Sequence, residues 1–198
     1  MRFEALPLKG TFLIHHERHE DARGHFARTY CAKEFARAGL VTAWLQCNTS
    51  YNRHAGTLRG LHWQVAPHEE AKIIRVTRGS IYDVMVDIRP NSSTYCKWHA
   101  EKIHVEDGVD IYVPTGFAHG FLTLSNDTEV FYHMSANYEP NSVRGARFDD
   151  PAFEIEWPNA QTELLYDVNK GVQWSQSGGP IVSDRDKLFP PFVPVKKK

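Results

Sequence analysis

The chain is poor in the features that mark several common classes. Its 198 residues hold only three cysteines, Cys31, Cys47 and Cys96, scattered and odd in number. They suit a reducing compartment better than a disulfide framework, and they form no metal-type spacing. No apolar run approaches membrane-spanning length, and the opening Met1-Arg2-Phe3-Glu4 leads into no long apolar region. Neither an anchor nor a secretory leader is therefore predicted. The net charge of −1 supplies no basic field for nucleic acid or an anionic membrane, so an anionic ligand would need a local cluster of cations. Repeats and low-complexity linkers are missing. So is a glycine-rich phosphate loop, which leaves no sign of nicotinamide binding. The expectation is one domain over residues 1–198, long enough to bury a core.

Short strands fill most of the chain. Leu6–His16, Trp44–Tyr51, Leu58–Gln64, Ala71–Arg78, Trp98–Val105 and Asp110–Pro114 read as strands, as does Glu129–Ala136. Asp83, Met85 and Asp87 alternate with Val84, Val86 and Ile88, which predicts a half-buried strand. Turn signals recur at Arg23-Gly24, Asn91-Ser92-Ser93, Glu106-Asp107-Gly108 and Ser125-Asn126-Asp127. Tyr30–Ala38, ended by Gly39, is the one convincing helix. Many short strands with turns every eight to twelve residues or so predict an all-β antiparallel sandwich or barrel. A double-sheet jelly roll is the member of that class whose interior commonly holds a ligand. After Trp157-Pro158 the chain turns polar and rich in Gly and Pro, which predicts a C-terminal wrap and not a second domain.

The stretch from Gly56 to Lys72 concentrates the chemistry. It reads as a β-hairpin turning at Pro67, with His62 directly across from Lys72. By the two-residue period His62 shares a face with Gly60 and Gln64, His119 with Phe117 and Phe121, and Tyr132 with Val130 and Met134. Gln46, Asn48 and Ser50 share another face, which on its own reads first as a solvated sheet face. If the first three faces line the interior, two histidines, a lysine and a tyrosine meet in a partly apolar cavity suited to moving protons. Metal binding is disfavoured. The expected His-x-His element is here His62-Trp63-Gln64, no carboxylate follows at a suitable spacing, and Lys72 adds positive charge. A satisfied core histidine is the competing reading of His62.

The motifs Asp21-Ala22-Arg23-Gly24-His25-Phe26, Gln46-Cys47-Asn48-Thr49-Ser50 and Leu58-Arg59-Gly60-Leu61-His62-Trp63-Gln64 are followed by Pro114-Thr115-Gly116-Phe117-Ala118-His119-Gly120-Phe121 and Asn137-Tyr138-Glu139-Pro140. Ser183-Asp184-Arg185-Asp186 closes the series. In this order the chain resembles the dTDP-4-dehydrorhamnose 3,5-epimerase family, sugar-nucleotide epimerases of cupin fold, from about Asp21 to Asp186. The resemblance implies His62 as general base, Asp186 as its carboxylate partner, Lys72 as the cation at the enolate oxygen and Tyr132 as the opposing acid. It implies that Arg23, Phe26, Gln46, Asn48, Arg59, His119 and Tyr138 hold the nucleotide, diphosphate or sugar. It implies further a nucleotide-diphosphate sugar as substrate, no cofactor, no metal, a cytoplasmic location and a homodimer exchanging N-terminal strands. Three departures stand out. Arg28 replaces the family's usual glutamate, Tyr51–His54 and Trp63 differ in wording, and residues 159–182 form an insertion. A mono-epimerase acting on a different nucleotide sugar, a non-catalytic binder and a metal-dependent cupin stay open as alternatives.

Overall fold

The computed structural model describes residues 1–158 and 179–195. Tyr166, Trp174 and Gly178 of the expected insertion lie outside them. Two antiparallel sheets stack face to face as an all-β jelly roll and do not close into one continuous barrel. The first sheet runs β1 (Arg2–Ala5), β2 (Phe12–His15), β10 (Val109–Val113), β7 (Lys72–Arg78), β12 (Thr128–Met134), β5 (Gln46–Asn52). The second runs β13 (Val143–Gly145), β6 (Thr57–Gln64), β11 (Phe117–Thr123), β8 (Ser80–Asp87), β9 (Trp98–His104). A short β14 (Ile181–Val182) joins β6 in parallel. Strands β3 (Arg18–Asp21) and β4 (Gly24–Ala27) form a separate two-stranded ribbon.

Alternation along the strands builds three apolar layers. Ile74, Val76, Met85, Phe117, Phe121 and Val130 meet between the sheets. Ile14, Ile73 and Tyr112 face outward from the first sheet and are covered by Phe35 of helix α1 (Ala32–Arg37), which Gly39 ends at φ 73°. On the second sheet's outer face Val84, Val86 and Leu61 lie under Ala146 and Phe153, with Phe192 of the C-terminal wrap packed against them. Each large side chain so buried contributes about 1.5–3 kcal/mol. Packing on both faces buries β8 at every position but Tyr82, so it is not half-buried, and Asp83 and Asp87 are at 0% exposure. Burial opposes the charge on Asp87, yet hydrogen bonds from Arg89, Ser92 and Thr94 outweigh it and hold that carboxyl down at about 2.

The expected hairpin does not form. Strand β6 gives its edges to β11 on one side and to β13 and β14 on the other, and β7 lies between β10 and β12. The segment between them crosses from one sheet to the other. It is fastened by Val65 N–H to Ser142 O at 2.9 Å and by Ala71 N–H to Ser135 Oγ at 2.7 Å. His62 and Lys72 are therefore not cross-strand neighbours, because they belong to opposite walls. The N-terminal strand is also shorter than expected, since Leu6–Thr11 closes a turn through Leu6 N–H to Thr11 O at 3.1 Å. A second helical turn, α2 (Asp184–Lys187), follows β14.

Candidate active site

Between the sheets lies a cavity of about 590 Å³. A bulge shapes the wall formed by the second sheet. His119 pairs with His62 and Phe121 with Arg59, so three steps along β6 match two along β11. Gly60 sits there at φ 118°, and a Cβ on it would come within 2.6 Å of Gly120 Cα. A Cβ on Gly120 would in turn meet Arg59 O at 2.7 Å. Two facing glycines thus let the strands approach where the extra residue is taken up. The bulge changes the phase of the strand. Arg59 and His62 both line the cavity, whereas strict alternation would put them on opposite faces.

His62 Nε2 lies 2.8 Å from Asp186 Oδ1. An ionised carboxylate only accepts, so Nε2 carries the proton and Nδ1 keeps its lone pair. Asp186 and the segment that carries it are fixed at three further points. Gly60 N–H donates to Oδ2 at 3.3 Å, and Asp186 N–H donates to the N-cap Ser183 Oγ at 3.1 Å. β14 fastens the segment to β6 through Ile181 N–H and Gly56 O at 2.7 Å. Burial alone would raise the Asp186 pKa. The hydrogen bond from His62, with the Gly60 and Ser183 contacts, wins and holds it below the ordinary carboxylate value. Beside this pair stands a second one, His119 Nε2 at 2.8 Å from Asp83 Oδ2, with Asp83 Oδ1 buried and unpartnered.

The opposite wall carries Tyr132 and Lys72. The Tyr132 ring centroid lies 6.3 Å from that of His119 and 6.5 Å from that of Phe121, edge-on and tilted respectively. Burial first, and the charge of Asp83 second, push the Tyr132 phenol far above its ordinary value, with Arg59 opposing. The phenol therefore holds its proton throughout the neutral range. Lys72 Nζ pairs with Glu70 Oε1 at 2.8 Å, and both side chains are only 8% exposed. Gln46 and Asn48 from β5 complete this wall, joined by Gln46 Nε2 to Asn48 Oδ1 at 2.9 Å. Gln46 Oε1 accepts from Tyr138 N–H at 3.0 Å, which sets the half-exposed Tyr138 at the rim. The polar row on β5 thus lines the cavity, with Asn48 exposed within it.

Nine of the eleven expected residues converge here: His62, Lys72, Tyr132 and Asp186, and with them Gln46, Asn48, Arg59, His119 and Tyr138. Arg23 and Phe26 do not. They sit on the exposed β3–β4 ribbon, Arg23 bonded to Asp21 at 2.6 Å and Phe26 75% exposed. Arg28 donates to Glu34 Oε1 on α1 at 2.9 Å and is likewise outside the cavity. Four contributors escape a reading of the sequence. Glu70 and Asp83 pair with Lys72 and His119. Asn52 Oδ1 accepts from Arg59 Nε at 2.7 Å, and Arg185 lines the cavity from within the Ser183–Asp186 motif. The motif flags Arg185, but nothing local flags the other three. Among the described residues no group of three His, Cys, Asp or Glu side chains could hold a metal ion. The carboxylates of Asp186, Asp83 and Glu70 are each engaged by a base or a cation. No helix among the described residues is long and apolar enough to cross a membrane.

Comparison with known proteins points one way. A family model described as dTDP-4-dehydrorhamnose 3,5-epimerase matches residues 5–193. A curated protein of that name from Sinorhizobium fredii is 39% identical over 165 residues, covering 83% of this chain and 85% of the relative. The solved dTDP-4-dehydrorhamnose 3,5-epimerase of Bacillus anthracis, with TDP and PPi bound, is similar at TM-score 0.84 and 32% identity, covering 96% of this chain and 99% of that one. ChmJ of Streptomyces bikiniensis, a 3'-monoepimerase in complex with dTDP-quinovose, is similar at TM-score 0.79 and 27% identity over 95% and 86% of the two chains.

Proposed function

We propose a mechanism from one premise: the chain belongs to the dTDP-4-dehydrorhamnose 3,5-epimerase family and is an isomerase. Its substrate is a thymidine-diphosphate-linked 4-keto-6-deoxy sugar, bound between the two sheets. A proton next to a ketone is weakly acidic, and removing it puts negative charge on the ketone oxygen. His62 Nδ1 takes that proton, and Asp186 stabilises the imidazolium that results. The Lys72 ammonium meets the developing enolate oxygen, where a preorganised cation counts most. Tyr132 returns a proton to the other face of the ring.

The observation that carries this reading is the placement of base and acid on facing sheets, His62 on β6 and Tyr132 on β12. A ring held between them loses a proton on one side and gains one on the other, which is what inversion requires. The raised Tyr132 phenol stays protonated near neutral pH, so the group on that wall has a proton to give to the basic enolate carbon and is not a second base. The reaction is redox-neutral, so no nicotinamide enters. Arg59 suits the diphosphate by its planar fork, with His119 beside it on the same wall, and Tyr138 suits the nucleobase as an aromatic face at the rim. Arg23 and Phe26 serve the site of a second copy in a homodimer. The support for this is a ribbon exposed along its length, with both side chains far from their own chain's cavity lining.

The test is incubation with dTDP-4-keto-6-deoxyglucose in deuterated water, followed by NMR. Deuterium at carbons 3 and 5 with inverted product is expected. Entry at carbon 3 alone would make the chain a mono-epimerase, as ChmJ is, and no entry at either carbon would sink the reading. Tyr132→Phe should keep deuterium exchange while losing inverted product by about 10²-fold. Loss of exchange and inversion together would remove the separation of base from acid.

A further inference from the structure

Glu70 has no assigned part in this chemistry, yet it is among the most constrained carboxylates in the cavity. Its Oε1 holds Lys72 Nζ at 2.8 Å and its Oε2 accepts from Gln64 Nε2 at 2.7 Å. Gln64 is itself saturated. Its Nε2, whose two hydrogens are shared among three acceptors, also lies 2.9 Å from His68 O and 3.1 Å from Asn137 O, and its Oε1 accepts from Glu139 N–H at 2.7 Å. Glu70 therefore cannot turn without breaking a network that spans two loops. The cost of burying this carboxylate and ammonium is offset only while both stay in place.

A second cation on the cavity wall is held differently. Arg59 rests on neutral oxygens, Asn52 Oδ1 at 2.7 Å and Tyr51 O at 3.5 Å. It precedes Gln64 on the same strand, with His62 between them. Beside Arg185 near the Asp186 turn, the cavity thus carries one cation with a carboxylate counter-charge at its Gln64 end and one on neutral partners beyond His62. A lysine is a point charge on a flexible stem and is drawn to any phosphate within reach. A bound diphosphate would compete for it.

We propose that Glu70 is a positioning residue: it ties the Lys72 ammonium to the Gln64 end of the cavity, reserving it for an oxygen of the sugar ring and leaving the diphosphate to Arg59. The inference rests on the epimerase reading for its ligand. It uses the carboxylate for alignment and charge balance, not for proton transfer. An ammonium has three donors, so one goes to Glu70 and two remain for substrate.

Glu70→Gln keeps the size of the side chain and removes its charge. A negative charge leaves a cavity that takes an anion, so dTDP should bind about five-fold more tightly by titration calorimetry. The released ammonium is then misplaced for the ketone, so kcat should fall about 30-fold. Glu70→Asp, which keeps the charge, should leave dTDP affinity within about two-fold and recover most of kcat. A residue with a merely structural role would weaken binding and turnover together. Unchanged or weaker dTDP binding in Glu70→Gln, or an unchanged kcat, would overturn the proposal. If Glu70→Gln does not fold, Glu70→Asp decides alone, since a loss of dTDP affinity there would likewise overturn it. Nucleotide affinity is read without turnover. A wild-type chain that leaves the keto sugar untouched would count against the epimerase reading, and the affinity of the variants would still decide the part played by Glu70.

Discussion

His62 and His119 are direct cross-strand neighbours, and each is bonded to a carboxylate at 2.8 Å. The likeness ends there. The His62 side chain is 37% exposed to the cavity, and its partner Asp186 arrives from a helical turn far along the chain. The His119 side chain is 5% exposed, and Asp83 stands on the adjacent strand β8, opposite Phe121. One imidazole can meet a ligand and exchange its proton there. The other is clamped within the wall beside Tyr132. Under the proposed roles the same pair of residue types serves two ends, and access, more than the hydrogen bond, separates them. A base must reach the reacting carbon, whereas a binding group needs only a fixed direction.

Breaking the first pair should have the largest effect. His62→Ala should lower solvent-deuterium incorporation by about 10³-fold or more while dTDP binding stays within a few-fold, because base and nucleotide site are separate. Comparable exchange rates in variant and wild type would remove His62 from the role of base. Asp186→Asn comes next. The amide cannot stabilise an imidazolium and can select the wrong tautomer, so kcat should fall about 10²-fold or more with KM little changed. An equal loss in kcat/KM through KM alone would make Asp186 a structural clip for β14.

The second pair gives a smaller and different signature. His119→Asn should raise KM about ten-fold with a lesser change in kcat, since the proposed role is to hold substrate. Asp83→Asn should follow it in direction and also cost stability, because His119 then loses its buried carboxylate partner. Thermal unfolding and steady-state kinetics on the same samples separate the two effects. A ten-fold or greater fall in kcat for His119→Asn at unchanged KM would erase the contrast between the pairs.

Legibility in the sequence follows the same divide between local and distant information. Alternation is enough to put Ile74 and Val76 on the inner face of β7, and Phe117 and Phe121 on that of β11. Turn residues are enough to mark most strand ends. What alternation cannot carry is pairing. Leu58–Gln64 and Ala71–Arg78 look like two arms of a hairpin because Pro67 lies between them, yet each finds its partners elsewhere in the chain. Nor can alternation foresee the bulge at Gly60, which brings Arg59 round to the side of His62. Asp186 is placed by the Ser183–Asp186 motif and by resemblance, since no local period links it to His62. Glu70, Asp83 and Asn52 leave no such trace, because each matters only through a neighbour that the fold supplies.

The smallest expected effect is also the one that separates folding from chemistry in the first pair. Asp186 has its pKa held below the ordinary carboxylate value in the folded chain, where the partners of the charged form outweigh burial. A depressed carboxyl contributes stability that is fully present above its unfolded value of about 3.9 and is lost as pH falls through the folded value. Acid unfolding of the wild type should therefore steepen below about pH 4. Asp186→Asn has no such group to protonate, so its stability should change less over that window, by a few tenths of a pH unit in the acid midpoint. Chemical denaturation at several pH values, with no substrate present, reads this directly. A variant with the wild-type pH slope would mean that Asp186 is not ionised against His62 in the resting fold, and the tautomer assigned to His62 would have to be given up with it.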